Sequence, residues 1–149
     1  MPADPIAIDE DFFDQPPVDL ARALVGKVLR RRLGDLWLAA RIVEAEAYAI
    51  HERASHSSLG RTPSREPMFA PPGTLYLYWS RGGASLNLSA RGAGNAVLCK
   101  AGAPFQDAVS PRESLEAMHS LNPTRSGGRR PDHRLCAGQS LLCLSLIHI

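Results

Sequence analysis

The sequence predicts an α+β fold in which a curved, mostly antiparallel sheet carries flanking helices and a protruding β-hairpin. Two pairs of alternating or aromatic segments are each joined by a glycine-containing turn, which is typical of β-hairpins. Other segments carry apolar residues at helical spacing, and there is no regular β–α alternation. The 149 residues are 44% hydrophobic, which is enough for one core. We therefore expect a single domain over residues 1–149.

The first half of the chain predicts one helix and one hairpin after a loose, acidic arm at residues 1–11. Prolines begin the helix Pro16–Gly26, apolar residues recur along it, and the glycine ends it. A strand at Lys27–Leu33, with Val28 facing the core, and a long strand at Leu36–Tyr48 flank a Gly-Asp turn signal. We expect these two strands to pair with each other.

The second half of the chain predicts a second hairpin, a central strand and another helix. Aromatic alternation over Gly73–Trp79 and the returning segment Ser85–Ala90 indicate the hairpin. Ala96–Lys100 is nearly all apolar, which favours a central strand, and Pro111–Leu121 has helical periodicity. Thr62, followed by a proline, is expected to cap a short helix before the second hairpin.

The most informative stretch is the end of the long first-hairpin strand. Because side chains alternate along a strand, Glu44, Glu46 and Tyr48 are expected on one face and Val43 with two alanines on the other, buried face. The two acids on alternate residues repel each other mildly, and each raises the other's pKa where water is scarce. A sheet with one solvated face would show the same alternation with no chemistry at all, so the pattern alone leaves both a structural and a chemical interpretation open.

The charge of the chain does not by itself demand a nucleic-acid partner. The formal net charge is only +2 and the sequence pI is about 8.6. Of the 17 basic residues only Lys27 and Lys100 are lysines. Arginine binds phosphate through two parallel hydrogen bonds, but a GC-rich genome would give the same arginine bias.

The cysteine pattern and hydropathy exclude several classes of protein. Three cysteines are too few for a disulfide framework and fit a reducing compartment. His133, Cys136 and Cys143 lack the paired spacing of a structural zinc site, so we expect no metal and no cofactor. Neither a charged-then-apolar leader nor a membrane-length apolar run is present. We therefore expect a soluble, cytoplasmic protein that has no membrane partner.

With these elements placed, the residues resemble the 3-methyladenine DNA glycosylase family of the alkyladenine type. The motifs Val-Glu-x-Glu-Ala-Tyr and Pro-Gly-Thr-Leu-Tyr-x-Tyr together carry the resemblance, which runs from about Phe12 to about Leu135. The matching stretches are Phe12–Pro16, Leu20–Gly26, Arg41–Tyr48, His56-Ser57, Thr62-Pro63, Met68-Phe69, Pro72–Tyr78 and Ala96–Ala101.

The resemblance implies a monofunctional enzyme of base excision repair. Such an enzyme swings an alkylated or deaminated purine out of duplex DNA and hydrolyses its N-glycosidic bond. It implies double-stranded DNA as the partner, a monomer as the working unit, and a bacterial, nucleoid-associated location.

The resemblance also assigns roles to individual residues. Glu46 matches the family's catalytic glutamate, and Lys100 stands where an arginine is common beside the catalytic water. Tyr48, His56 and Tyr78 match the walls of the base pocket. Asn87 matches an asparagine that helps to reject normal guanine. By contrast, Glu44 is expected to be structural, Tyr76 to be core or strand-pair material, His51 to be an ordinary loop histidine, and Cys99 to be a small buried hydrophobe.

The chain departs from the family pattern at the hairpin tip and at its C-terminus. Arg81 stands where the family has an aromatic wedge that fills the gap left by the flipped base, and Trp79 is close by in sequence. Both are expected to contact DNA. Residues 143–149 match nothing further along the family, so we expect the domain to lack its C-terminal part and the sheet to keep an exposed edge.

Two other functions compete with the glycosylase. A truncated relative could be inactive and only bind DNA through its arginine clusters, in a salt-sensitive manner. A carboxylate hydrolase using Glu44 and Glu46 is disfavoured, because two residues of one strand cannot flank a sugar from opposite sides.

Overall fold

Six strands form one curled antiparallel sheet in the order β3-β4-β5-β2-β1-β6. The computed structural model describes residues 7–80, 83–121 and 147–148. The strands are β1 (Val28–Leu33), β2 (Leu36–Tyr48), β3 (Leu75–Ser80), β4 (Gly83–Ser89), β5 (Ala96–Pro104) and β6 (Ile147–His148). Both predicted hairpins, β1–β2 and β3–β4, are therefore confirmed.

Two of the three helices in the described part of the chain cover one face of this sheet. The helices are α1 (Pro17–Leu24), α2 (Glu66–Phe69) and α3 (Arg112–Leu121), with 3₁₀ turns at Glu10–Phe13, His56–Leu59 and Pro63–Arg65. α1 and α3 pack on β2. Leu20 and Leu24 of α1 and Met118 of α3 are completely buried there. At roughly 1.5–3 kcal/mol for each fully buried side chain, this face holds the helices on the sheet.

A local irregularity between β2 and β5 exchanges the two faces of β2. The register pairs Ile42 with Gly102 and Ala45 with Cys99, but passes over Val43 in β2 and Lys100 in β5. Ile42 is buried under the helices, and Ala45 packs on the same core. Because strict alternation puts residues 42 and 45 on opposite faces, the irregularity has switched the alternation between them.

The switch corrects one prediction about this strand. Val43 was expected on the buried face with Ala45 and Ala47, but its side chain is 41% exposed. The two alanines do pack on the core, as expected. The alternation of apolar and polar residues begins at Val43 in the sequence. Val43 itself lies within the irregularity, so its side chain is exposed to solvent although it is apolar.

Other predictions need smaller corrections. In β1 the core residue is Leu29, which is completely buried, while Val28 is only partly buried. β5 continues past Lys100 to Pro104 because Gly102 and Ala103 still pair with β2. Thr62 has the extended backbone of a cap but makes no capping hydrogen bond.

Predictions about the chain ends are tested only in part. Of the predicted arm, residues 7–9 lie in coil, and a 3₁₀ turn starts at Glu10. Near the C-terminus, Ile147–His148 pairs with Arg30 and Arg31 and covers that part of the β1 edge, and the exposed sheet edge stays a prediction. The arginine-rich segment at 122–134 lies outside the described residues.

One ion pair fastens β1 to the segment that leads into α3. Arg30 is buried, and its two terminal nitrogens donate to the Asp107 carboxylate at 3.1 and 2.5 Å and to Ser110 Oγ at 2.5 Å. The Arg30 guanidinium holds the pKa of Asp107 below its ordinary value. The pair therefore stabilises the fold while the carboxylate is ionised.

Asp107→Asn is expected to lower the free energy of unfolding by about 2 kcal/mol near neutral pH, because it leaves the buried Arg30 charge without its counter-ion. The stabilisation is fully present above the unfolded-state pKa of aspartate, about 3.9, and is lost as pH falls through the lower folded-state pKa. The difference between variant and parent should therefore shrink in acid, as measured by urea denaturation at several pH values.

Asp14→Asn is the matched control. Asp14 accepts a hydrogen bond from Arg91 Nε at 2.9 Å, but more than half of each side chain is exposed. Its loss should change stability by less than about 0.5 kcal/mol. Equal effects of the two substitutions would contradict the role given to Arg30 and Asp107.

Candidate active site

The face of the sheet opposite the helices carries one continuous row of side chains across four strands. Glu46 of β2 pairs with Leu98 of β5, Leu98 with Asn87 of β4, and Asn87 with Tyr76 of β3. Directly paired residues share a face. With strands about 4.8 Å apart, Glu46 and Tyr76 stand on either side of a floor made by Leu98 and Asn87. We call this surface the site face.

Glu46 stands at one end of the row, between a phenol and an ammonium group. Tyr48, two residues on, donates a 2.5 Å hydrogen bond to Glu46 Oε2. Lys100 Nζ lies 3.7 Å from Glu46 Oε1. The Glu46 side chain is 33% exposed, so its carboxylate is held in position and still reached by water.

The hydrogen bond to Glu46 changes the chemistry of Tyr48. Donation to a carboxylate, followed by burial and the nearby negative charge, raises the pKa of Tyr48 to about 12. The Tyr48 phenol therefore stays protonated at physiological pH and acts as a donor.

Three rings stand at the other end of the row. The His56 and Tyr78 rings lie 4.1 Å apart between centroids, and the Tyr76 and Tyr78 rings lie 5.6 Å apart. His56 Nδ1 and the Tyr76 hydroxyl are 3.3 Å apart, within hydrogen-bond distance. Tyr76 is only 7% exposed and packs on Met68, so it supports the other two rings from below.

Buried serine hydroxyls fix the loop that carries His56. Ser57 Oγ donates a 2.5 Å hydrogen bond to the Gly94 carbonyl, so the 2.6 Å contact between Ser55 Oγ and Ser57 Oγ has Ser55 as the donor. The Gly94 N–H in turn donates to the Met68 carbonyl at 2.9 Å. The turn that contains Gly94 therefore holds both the His56 loop and α2.

Gly94 needs to be glycine for two reasons. Its φ is +85°, which side chains disfavour, and an added Cβ would meet Ile50 Cδ1 at 2.6 Å. The tight turn between β4 and β5 is thus part of the support for His56.

The structure brings together most of the residues that the sequence singled out. Glu46 contacts both Tyr48 and Lys100, and the His56 and Tyr78 rings contact each other. Asn87 is buried in the floor, where its amide donates to the Tyr76 carbonyl at 3.4 Å. Glu44 and His51 are exposed, and burial raises the pKa of Cys99 to about 12. The Trp79 side chain and all of Arg81 lie outside the described part of the chain.

Sequence reasoning missed the part that Tyr76 and Ser57 play in the site. Tyr76 was assigned to the core, and it is buried, but it also supports His56 and Tyr78. Its position two residues before Tyr78, on the same strand face, was the available signal. Ser57 carried no local signal, because its acceptor lies 37 residues away.

Metal-binding clusters and membrane-spanning helices are absent from the described part of the chain. Within 7–80, 83–121 and 147–148, no three His, Cys, Asp or Glu side chains are grouped as a metal site would require. His133, Cys136 and Cys143 fall outside those ranges. None of the described helices has the length and apolar character needed to span a bilayer.

The chain matches one protein family over most of its length. A family model described as "Methylpurine-DNA glycosylase (MPG)" matches residues 11–148. The chain belongs to the methylpurine-DNA glycosylase family. The match continues beyond Leu135, where the sequence motifs fade.

Curated relatives support the same assignment. A protein of Pseudomonas syringae pv. tomato with the name "Putative 3-methyladenine DNA glycosylase" is 51% identical over 142 residues, which cover 95% of this chain and 64% of the relative. A protein of the same name from Pseudomonas aeruginosa is 52% identical over 93% of this chain and 58% of its own length. The mouse "DNA-3-methyladenine glycosylase" is 46% identical over 91% of this chain and 41% of its own length. The chain thus spans less than two thirds of the relatives it matches.

Ser57→Ala is expected to lower the free energy of unfolding by roughly 1–3 kcal/mol, because the buried Gly94 carbonyl and Ser55 hydroxyl would each lose a partner. Ser58→Ala is the matched control, since the exposed Ser58 donates only to the neighbouring Ser55 carbonyl. Chemical denaturation of both variants checks the difference. If the two substitutions lowered the free energy of unfolding by the same amount, the hydrogen bond from Ser57 to the Gly94 carbonyl would not be what holds the His56 loop.

Proposed function

We propose that this chain removes alkylated or deaminated purines from double-stranded DNA by hydrolysing the N-glycosidic bond. The observation that carries the proposal is the Glu46 carboxylate, held by Tyr48 and Lys100 on the same sheet face as the His56 and Tyr78 rings. Family membership supplies the reaction class, and the relatives' names supply 3-methyladenine as one base.

Glu46 is suited to two tasks in this reaction. Cleaving the bond builds positive charge on the sugar, which a nearby anion stabilises. The attacking water must also lose a proton, which the same carboxylate can accept. Tyr48 and Lys100 keep the carboxylate in place, and hydrolysis requires no cofactor.

The rings and the floor are suited to holding a flipped base. A base reaches the site only by leaving the stack, because its sugar carbon is inaccessible within the duplex. Tyr48 on one side and Tyr78 with His56 on the other would enclose its faces, while Asn87 would lie under its edge and help to reject guanine. Arg81 and Trp79 would contact the DNA from the hairpin tip, with one copy of the chain acting alone.

Glu46→Gln is expected to abolish base release while duplex binding persists, because the amide has almost the same shape but cannot accept the water's proton. Duplexes that contain hypoxanthine or ethenoadenine are incubated with the protein and then treated with alkali, which cuts at abasic sites. Loss of about 100-fold or more in rate is expected for a general base.

Glu44→Gln is the control, since Glu44 lies on the same strand but is exposed and has no catalytic part. It should retain activity. Equal rates for Glu46→Gln and the parent would contradict the proposal. A gel shift by the parent without any strand cleavage would instead favour the second candidate, a relative that only binds DNA.

Tyr78→Ala is expected to weaken capture of the damaged base, because loss of one stacking ring costs roughly 1–3 kcal/mol, or about 5- to 150-fold in kcat/KM. Tyr78→Phe keeps the ring and should stay within a few-fold of the parent. Single-turnover excision over a range of protein concentrations measures both. Equal loss in the two variants would mean that the hydroxyl, and not stacking, is the contribution of Tyr78.

A further inference from the structure

Lys100 is a potential nucleophile at the proposed reaction centre. It occupies the position that the β2–β5 register passes over, and its side chain turns to the site face, where Nζ lies 3.7 Å from Glu46 Oε1. Half of the side chain is exposed. A neutral lysine amine attacks carbonyl carbons, whereas an arginine at this position would remain a cation and would not.

We propose that Lys100 gives this chain a second activity, cleavage of the DNA strand at an abasic site through an imine. The inference rests on the proposed function for its location, because it takes Glu46 to lie beside the sugar carbon C1′. Release of the base leaves C1′ as a hemiacetal that opens to an aldehyde. Lys100 Nζ, 3.7 Å from Glu46 Oε1, would then also lie near C1′.

The first step forms the imine. Lys100 passes one ammonium proton to the Glu46 carboxylate, and the nitrogen lone pair forms a bond to C1′ while the aldehyde oxygen takes up that proton. The resulting carbinolamine loses its hydroxyl as water and becomes a protonated imine. Glu46 is placed to accept and return these protons.

The second step breaks the strand. A base removes a proton from C2′, the electron pair forms the C2′–C3′ double bond, and the C3′–O bond breaks to release the downstream strand with its 5′ phosphate. Water then hydrolyses the imine and restores the Lys100 amine. Water is the only co-reactant, and neither an oxidant nor a reductant is needed.

The composition of the chain makes the proposal easy to test. Its only other lysine is Lys27, whose Nζ lies 5.9 Å from the centre of the Phe12 ring, outside the site described above. Lys27→Arg is therefore a matched control for Lys100→Arg. Both substitutions keep the positive charge and remove one primary amine.

The experiment uses the 149-residue chain and a duplex with one abasic site made beforehand from uracil. Sodium cyanoborohydride reduces an imine to a stable amine, so a denaturing gel shows a covalent protein–DNA adduct. The parent and Lys27→Arg should form the adduct and nick the DNA when the reductant is omitted. Lys100→Arg should lose both products.

Mapping the adduct in the parent protein keeps the test independent of how the variant folds. Mass spectrometry of its peptides should place the sugar remnant on Lys100. No adduct with the parent, an undiminished adduct with Lys100→Arg, or a remnant on Lys27 or the terminal amine would overturn the proposal. Because the substrate already lacks the base, failure here is distinguishable from failure of base release.

Discussion

The exchange of faces in β2 is the constraint on which the site depends. Upstream of it, Leu38, Ala40 and Ile42 point under α1 and α3, and strict alternation would place Glu46 in that same core. Taking a carboxylate out of water without a partner costs several kcal/mol. By passing over Val43, the strand directs Ala45 and Ala47 into the core and Glu46 to the opposite face. Bulged positions often re-aim side chains in this way beside active sites.

The two faces of the sheet therefore have separate tasks. The helix-covered face supplies the apolar burial that holds β5, β2 and β1 in register. The site face carries polar groups in fixed positions, because each is tied to a neighbour: Glu46 to Tyr48, Asn87 to the Tyr76 backbone, and His56 to Tyr76. The loop that bears His56 is fastened from below by Ser57 and Gly94. Such prior positioning reduces the ordering that binding of a ligand on this face would otherwise require.

Much of this architecture follows from local sequence. The turn signal between β1 and β2 and the aromatic alternation of β3 predicted both hairpins, and the bounds of β2 match the structure at both ends. The site was found through resemblance, since the alternation of Glu44, Glu46 and Tyr48 fits a solvated sheet equally well. The features that local sequence could not predict depend on contacts between residues far apart in the chain. The register irregularity arises from pairing with β5, and the anchoring of Ser57 depends on a turn 37 residues further along.

The most direct test of the account is a crystal structure of this chain bound to a duplex that contains ethenoadenine, with Glu46 replaced by Gln to prevent cleavage. The account predicts that the flipped base lies over Leu98 and Asn87, with Tyr48 on one side and His56 and Tyr78 on the other, and that the residue 46 side chain faces C1′. DNA bound elsewhere on the chain, or a residue 46 side chain turned away from the sugar, would contradict it.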